Sequence, residues 1–214
     1  MKAGKIIIIA GSLLIAASLL LTGYNICDNQ RVKKETGTIL ERMLPAIALD
    51  PVPEEGRAVA FAEEEVEYPD YVIAPEKEMP VESIDGLDMV GILSLQSLGI
   101  ELPVCNDWNY PNLRKCPCRY VGKAYTDDFV ICAHNYDRHF GRLRNLNYGD
   151  KITFTDMDGN VFTYQVTEIL DLEPHAIEEM TEGDWDLTLF TCTLGGASRV
   201  TVRCERQAAP VRIP

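Results

Sequence analysis

Two β-rich runs separated by a pair of glycines constrain the fold more than any other feature of this chain. Residues 187–192 read Leu-Thr-Leu-Phe-Thr-Cys, residues 199–204 read Arg-Val-Thr-Val-Arg-Cys, and Gly195-Gly196 lies between them. This pattern is typical of an antiparallel β-hairpin. If the two glycines form a two-residue turn, Cys192 lies opposite Arg199, with the two Cβ atoms ~5 Å apart.

The alternation of side chains divides this hairpin into two faces. The face predicted to lie in the core carries Leu187, Leu189, Val200, Val202 and Cys204. The other face carries Thr188, Phe190, Cys192, Arg199, Thr201 and Arg203. A thiol and a guanidinium therefore share the non-core face. A nearby cation favours the reactive thiolate, and the same cation can stabilise the oxyanion that forms when a thiolate attacks a carbonyl.

His134 is the candidate for the group that transfers protons. It follows the run 129–133, Phe-Val-Ile-Cys-Ala, which is apolar on both faces and predicts a buried strand. Cys132 shares a face with His134 by alternation and is interpreted as a packing residue. His139 in a polar loop and His175 in a surface connection are weaker candidates.

These motifs, in this order, resemble those of the sortase family, the membrane-anchored cysteine transpeptidases of Gram-positive bacteria. The resemblance rests on Thr-Leu-Phe-Thr-Cys at 188–192, the downstream Arg-Val-Thr-Val-Arg and the upstream Ala-His-Asn, and it spans roughly residues 84–206. It implies an all-β fold, a closed eight-stranded β-barrel with short helices. It also implies that Cys192 is the nucleophile, His134 the general acid/base and Arg199 the oxyanion or substrate stabiliser. Arg203 receives no catalytic role, and a substrate groove is expected along Phe190, Thr191 and Thr188.

The resemblance also implies a reaction. The thiolate would cleave the Thr–Gly bond of a Leu-Pro-x-Thr-Gly-like (LPXTG-like) sorting signal through a thioester, and an amine of a peptidoglycan precursor or a pilin would resolve it. No metal or organic cofactor is expected, and calcium activation stays open without identified ligands. Two alternatives remain: a thiol endopeptidase that acts by hydrolysis, and a non-catalytic, membrane-tethered binding barrel.

The N-terminal segment predicts a membrane anchor. Residues 6–26 are almost entirely apolar and would form a helix of ~31 Å, which matches a bilayer core. A cleaved signal peptide is disfavoured because no Ala-x-Ala-like site follows, and Asn25-Ile26 is a poor context for lipid attachment to Cys27. Lysines and arginines are nearly balanced on the two sides, so the resemblance alone places the catalytic domain outside the cell. The net charge of −13 argues against nucleic-acid partners.

Composition divides the chain into four segments. Residues 1–27 are expected to form a transmembrane helix and a stub that the resemblance places in the cytoplasm, and residues 28–83 a short amphipathic helix and an acidic, proline-rich linker. The catalytic barrel is expected at 84–207, starting with two short strands around Gly99. The tail, 208–214, has no apolar run, so no second membrane segment is expected there.

Two further motifs leave alternatives. Three interpretations of Cys105, Cys116 and Cys118 remain open: all are free thiols, Cys105 forms a disulfide with one of the other two, or they bind zinc. Zinc binding is the least favoured because the spacing of the cysteines does not suit it. Trp108 and Tyr110, between them, either pack under the loop or line a substrate groove. Asp158-Gly159 predicts a β-hairpin rather than a calcium loop, because the later glutamate and the helices of an EF-hand are missing.

Overall fold

A closed β-barrel forms the body of the protein. The computed structural model describes residues 2–47 and 69–207. Its strands are β1 (Glu82–Ile84), β2 (Leu87–Leu95), β3 (Ile100–Cys105), β4 (Cys118–Val121), β5 (Phe129–Cys132), β6 (Lys151–Asp156), β7 (Val161–Leu172), β8 (Leu187–Cys192) and β9 (Arg199–Arg206).

Eight of these strands close into a ring. The strands are hydrogen-bonded in the order β2-β3-β4-β5-β8-β9-β7-β6, and pairing of β6 with β2 closes the ring. β1 pairs with the first residues of β2, outside the ring. The predicted all-β class and eight-stranded closed barrel are confirmed.

Helices are few among the described residues. They are α1 (Lys2–Met43), α2 (Asp70–Ile73), α3 (Tyr110–Leu113) and α4 (Ile177–Thr181), with short 3₁₀ turns at Leu44–Ala46, Gln96–Leu98 and Leu143–Asn145.

The barrel interior is a single apolar cluster rich in aromatic rings. Phe129 of β5 meets Phe154 of β6 with ring centroids 4.9 Å apart. β5 is buried along its whole length, as its continuous apolar sequence predicts. Its outward residue Cys132 contacts a second apolar cluster, which lies outside the barrel.

The hairpin of β8 and β9 has the predicted register but a longer loop. Leu187 pairs with Cys204 and Cys192 with Arg199, as expected. The strands end at Cys192 and resume at Arg199, and Thr193 N–H donates to the carbonyl of Ser198 at 3.0 Å. The expected two-residue turn is therefore wrong. The register is nevertheless as predicted, because the loop 193–198 is centred on the same two glycines as the expected turn.

The hairpin of β6 and β7 is confirmed, with Phe154 opposite Phe162. Gly159 in its turn has a φ of +85°, which favours glycine. Asp156 is fully buried and accepts hydrogen bonds from Tyr125 Oη at 2.7 Å and from Asn160 N at 2.9 Å. This carboxylate stabilises the turn through those hydrogen bonds.

Helix α1 joins two segments that the sequence treats separately. Its N-terminal half is apolar and exposed, and it is long and apolar enough to cross a membrane. The same helix continues without a break through the predicted amphipathic segment, where Val32, Thr36, Ile39 and Met43 are buried. Their spacing of three to four residues places them on one helix face, which packs on the outer cluster with Cys132 and Phe190.

The described end of the predicted linker also contacts the barrel. The Tyr71 ring stacks on Tyr125, with centroids 5.2 Å apart, and Met79 is buried in the interior cluster. Apolar side chains among the prolines and charges of 69–83 account for this packing. The rest of the linker, 48–68, and the tail, 208–214, lie outside the described residues, as does the expectation of no second membrane segment.

Candidate functional site

Three neighbouring strands bring the predicted catalytic residues to one end of the barrel. β5 runs parallel to β8, and its last residue, Cys132, pairs with Phe190. His134 is two residues beyond Cys132, and Cys192 is two residues beyond Phe190, so the two are expected at the same level. The arrangement is held by Ala133 N–H, which donates to Phe190 O at 3.2 Å, and by Thr191 Oγ1, which donates to Ala133 O at 2.8 Å. On the other side of β8, Cys192 pairs with Arg199 of β9.

Cys192 is partly exposed at the last position of β8 and opens into a pocket of about 570 Å³. The pocket is lined by Asn29, Asn135, Asp137, Phe140, Gly141, Arg144, Thr191, Cys192, Thr193, Leu194 and Val200. His134, just after β5, and Arg199 of β9 lie on either side of Cys192 but do not line this pocket.

Cys132 is the buried neighbour of Cys192. Burial chiefly raises the pKa of the Cys132 thiol to about 12, and the charge of a Cys192 thiolate raises this pKa further. Cys132 therefore stays a neutral thiol that packs on the outer cluster. Of these two cysteines, Cys192 is the one that a substrate can reach.

A tight turn after β5 positions His134. Its carbonyl accepts from Phe140 N–H at 3.2 Å, and its ring meets Tyr136 edge-on, with centroids 5.3 Å apart. A Cβ on Gly141 would come within 2.6 Å of Asn135 O and 2.7 Å of Tyr136 O. The turn can close this tightly because residue 141 has no side chain.

The surroundings of His134 favour neutral imidazole. Burial of the half-buried ring, followed by the positive charge of Arg114, lowers the pKa of His134 below its usual value, and Asp28 opposes the shift. A hydrogen bond from Arg31 lowers the pKa of Asp28, so this carboxylate stays charged. At neutral pH the histidine can therefore accept a proton, as a general base must.

The two arginines of β9 differ in their contacts. The Arg199 guanidinium donates to Gly196 O and Ser198 O, both at 3.3 Å, in the loop that follows Cys192. Arg203 instead donates to Glu168 at 2.8 Å and to Glu179 O at 2.8 Å, and its guanidinium lies 4.9 Å from the centroid of the Trp185 ring. Arg203 is thus held by structural contacts, whereas Arg199 is paired with Cys192 across the two strands.

The residues expected to form a groove fall into different environments. Phe190 packs edge-on against Tyr120, with centroids 5.3 Å apart. Thr191 lines the Cys192 pocket, although its hydroxyl is engaged with Ala133. Thr188 is buried, only 3% exposed, and does not line that pocket. The Trp108 ring contacts the Tyr120 ring at a tilted angle, but the Trp108 side chain is about half exposed. Trp108 is therefore not buried under its loop.

Helix α1 and residues 106–117 contribute groups that sequence reasoning missed. Asn29 of α1 lines the Cys192 pocket, while Asp28 and Arg114 act electrostatically on His134. The apolar spacing in 32–43 could have indicated that this helix docks on the barrel. No sequence pattern indicated which barrel face it would cover.

The other two histidines lie in contrasting places. His139 is fully buried, and its Nε2 lies 2.9 Å from Thr36 Oγ1 of α1. His175 is exposed in the connection after β7. Within residues 2–47 and 69–207, no group of three or more His, Cys, Asp or Glu side chains is placed to hold a metal ion.

Comparisons with known proteins point to the same family as the sequence motifs. The sortase domain family model matches residues 93–207. Sortase A of Bacillus anthracis is 28% identical over 119 residues, which cover 51% of this chain and 55% of that protein, so this chain spans about half the length of that relative.

Solved structures show the same fold. A Clostridium perfringens sortase C, solved with the C-terminal cell wall sorting motif, has a TM-score of 0.50 and 25% identity, covering 57% of this chain and 72% of that chain. A Clostridium perfringens sortase D5 transpeptidase has a TM-score of 0.54 and 20% identity, covering 82% of this chain and 98% of that chain. Because the family match extends over more than half of the residues, this chain belongs to the sortase family.

Proposed function

We propose that this sortase is a membrane-anchored cysteine transpeptidase that cleaves an LPXTG-like sorting signal and transfers the acyl group to an amine. The main support is the register of β5, β8 and β9: Cys132 pairs with Phe190 and Cys192 with Arg199, so His134, two residues beyond Cys132, comes at the level of Cys192. The sortase C structure solved with a sorting motif supports the choice of substrate.

In the first step, neutral His134 accepts the proton of the Cys192 thiol, and the resulting thiolate attacks the Thr–Gly carbonyl carbon. Arg199 releases its loop carbonyls and donates to the oxyanion, which offers a stronger, charge-assisted hydrogen bond than a neutral carbonyl. His134 protonates the leaving amine, the C–N bond breaks, and a thioester on Cys192 remains.

In the second step, an amine of a peptidoglycan precursor or a pilin attacks the thioester. His134, now neutral, accepts the proton of this amine, and the Cys192 thiolate leaves. The polar rim of the pocket, with Asn135 and Asp137, is a suitable entry for a charged amine acceptor. Phe190 and Tyr120 lie outside this pocket, partly buried against the outer cluster, and offer an apolar surface for the leucine and proline of the signal.

Exposed apolar residues on the N-terminal half of α1 support the location. We propose that residues 6–26 cross the membrane once, with the barrel on the outer side. The unbroken helix then holds the catalytic end of the barrel close to the membrane surface, where Asn29 reaches the pocket.

The test is turnover of a panel of sorting-signal peptides by the full-length protein in detergent. Cys192→Ala should lower kcat/KM by at least ~10³-fold, and His134→Ala and Arg199→Ala by ~10²–10³-fold. Cys27→Ala, His175→Ala and Arg138→Ala, three exposed residues of the same types, are the matched controls. Wild-type turnover in all three site variants would refute the assignment.

An added amine separates transpeptidation from hydrolysis. Transpeptidation predicts that the new amide product accumulates at the expense of the free acid as amine is added. A product ratio that does not respond to the amine would instead identify a thiol endopeptidase. A Cys192 that resists thiol-reactive probes in the native protein would favour a non-catalytic binding barrel.

A further inference from the structure

Three cysteines outside the Cys192 site meet in the outer apolar cluster. Cys105 ends β3, Cys118 begins β4, and the two are paired across these parallel strands. Cys116 lies at the end of the intervening segment, and all three thiols are fully buried. Cys105 Sγ lies 2.8 Å from Cys116 Sγ and 3.7 Å from the sulfur of Met89.

This geometry does not suit a metal ion. Two thiolates bound to one tetrahedral zinc ion are roughly 3.8 Å apart, because each Zn–S bond is about 2.3 Å. The sulfurs of Cys105 and Cys116 are much closer than that. A disulfide bond requires a separation of about 2.05 Å, and the observed distance between the two sulfurs is nearer to this value than to the zinc-bridged one.

The electrostatics of the cluster single out Cys105 as the attacking thiol. Hydrogen bonds from Cys116 and then Cys118 lower the pKa of Cys105, whereas the pKa of Cys116 and that of Cys118 are raised by the neighbouring thiols. Three adjacent thiols cannot all ionise, and the thiol with the lowered pKa, Cys105, ionises first.

We propose that Cys105 and Cys116 form a disulfide bond that closes the segment 106–115, while Cys118 stays reduced. The extracytoplasmic location within the proposed function supplies an oxidising compartment. The oxidant is the disulfide of a low-molecular-weight thiol, which reaches the cysteines before the segment closes over them.

The disulfide bond forms by thiol–disulfide exchange in two steps. The Cys105 thiolate attacks one sulfur of the oxidant, the oxidant's S–S bond breaks, and one small thiolate leaves. The Cys116 thiolate then attacks Cys105 in the mixed disulfide and expels the second small thiolate. Two cysteines are oxidised, one disulfide is reduced to two thiols, and the two protons from the cysteines pass to the leaving thiolates.

The position of segment 106–115 indicates what a Cys105–Cys116 disulfide would stabilise. Lys115 O accepts from Thr36 Oγ1 of α1 at 2.8 Å, and Arg114 acts on His134. The segment therefore lies between the docked helix and the catalytic histidine. A covalent link at its two ends restricts the unfolded and opened states of this segment more than those of the barrel.

The experiment uses the full-length protein in detergent, as a Cys27→Ser variant that lacks the exposed thiol. The protein is equilibrated with oxidised and reduced glutathione, denatured and alkylated, and its intact mass is measured with and without prior reduction. We expect two fewer alkyl groups without reduction than with it. Equal numbers would overturn the disulfide.

Additional substitutions test which cysteines pair. Cys118→Ser should keep the two-thiol difference, whereas Cys105→Ser should remove it. Loss of the difference in Cys118→Ser, or its persistence in Cys105→Ser, would overturn the assigned pair. Because the readout is thiol content, it stands whether or not the protein turns over sorting signals.

Hydrogen exchange tests the effect on the segment. Reduction should speed amide exchange across 106–115 by at least ~10-fold in the Cys27→Ser parent and leave it unchanged in Cys105→Ser. Equal acceleration in both proteins would contradict closure of the segment by this bond.

Discussion

Arg199 and Arg203 lie on the same strand face, yet their contacts predict opposite effects of substitution. Arg203 is held by a carboxylate, a carbonyl and an aromatic ring. Among the described residues, the Arg199 guanidinium donates hydrogen bonds only to two carbonyls of the neighbouring loop, both at 3.3 Å. The chemical environment, and not the residue type or the face, separates a structural arginine from a candidate for catalysis.

Arg203→Gln is expected to reduce the free energy of unfolding by about 1–3 kcal/mol, because it leaves Glu168 without its partner. The same variant should keep kcat/KM within a few-fold of wild type. Arg199→Gln should do the reverse, lowering kcat/KM by ~10²–10³-fold with little change in stability. Thermal unfolding and peptide turnover of both variants check this pair, and identical behaviour of the two would contradict it.

His139 is a buried titrating residue away from the nucleophile. Thr36 donates its one hydroxyl proton to Lys115 O, so it must accept from His139 Nε2, and Nδ1 has no hydrogen-bond partner in the described structure. Burial chiefly lowers the pKa of His139 to about 4, from 6.5. Protonation of this ring therefore costs folding free energy.

This environment predicts an acid-sensitive stability. Between pH 6.5 and 4 the unfolded state binds a proton at residue 139 that the folded state does not, so stability falls as the pH falls, by about 3 kcal/mol in total. His139→Gln should lose less stability than wild type between pH 7 and pH 4.5 in urea unfolding. His175→Gln, at an exposed histidine, should lose as much as wild type, and parallel curves for all three proteins would contradict the prediction.

At the scale of elements, helix α1 connects the proposed membrane span to the end of the barrel that carries Cys192. One face of its C-terminal half is buried against the outer cluster, and Thr36 adds a polar link to Lys115 and His139. Since Asp28 and Asn29 precede this docked face, the position of the helix sets the charge and shape of one side of the site.

Ile39→Asp should detach the docked half of α1, because a buried carboxylate without a partner costs several kcal/mol. We expect faster hydrogen exchange over residues 30–43, while the strands β8 and β9 keep their protection. Gln30→Asp adds the same charge at an exposed position and is the matched control. Unchanged exchange in Ile39→Asp would show that the contacts do not hold the helix.

At the scale of the whole molecule, the protein combines an exposed apolar helix with an acidic remainder. The side chains of Leu13 and Leu14 are 66% and 72% exposed, and the net charge of the chain is −13. Such an apolar surface is stable in lipid and not in water. The negative charge disfavours binding of anionic lipid headgroups by the barrel itself.

Replacing both Leu13 and Leu14 by arginine should release the full-length protein from the membrane. Each arginine near the middle of the span costs about 2.5–3.5 kcal/mol on insertion scales. The expected result is a shift from the carbonate-resistant membrane fraction to the soluble or aggregated fraction. Gln30→Arg, beyond the apolar run, should stay in the membrane, and retention of the double variant would argue against this span.

Local patterns in the sequence were sufficient to predict the register of the β8–β9 hairpin and the buried β5. Alternation with period two assigns Leu187, Leu189 and Val200 to the core, because a slip of one residue would turn every apolar side chain outward. The closed eight-stranded barrel was implied by the order of the family motifs, and the domain boundaries and catalytic roles stay predictions.

Only the tertiary structure decided what lies against the strands that carry the candidate catalytic residues. The docking of α1, the contact of Cys105 with Cys116 and the approach of Arg114 to His134 join residues far apart in sequence or separated by an irregular loop. Such contacts depend on how whole elements pack around a closed barrel, and no local periodicity encodes them. The sequence by itself therefore determined the strands and the candidate nucleophile, while packing decided the surroundings that tune it.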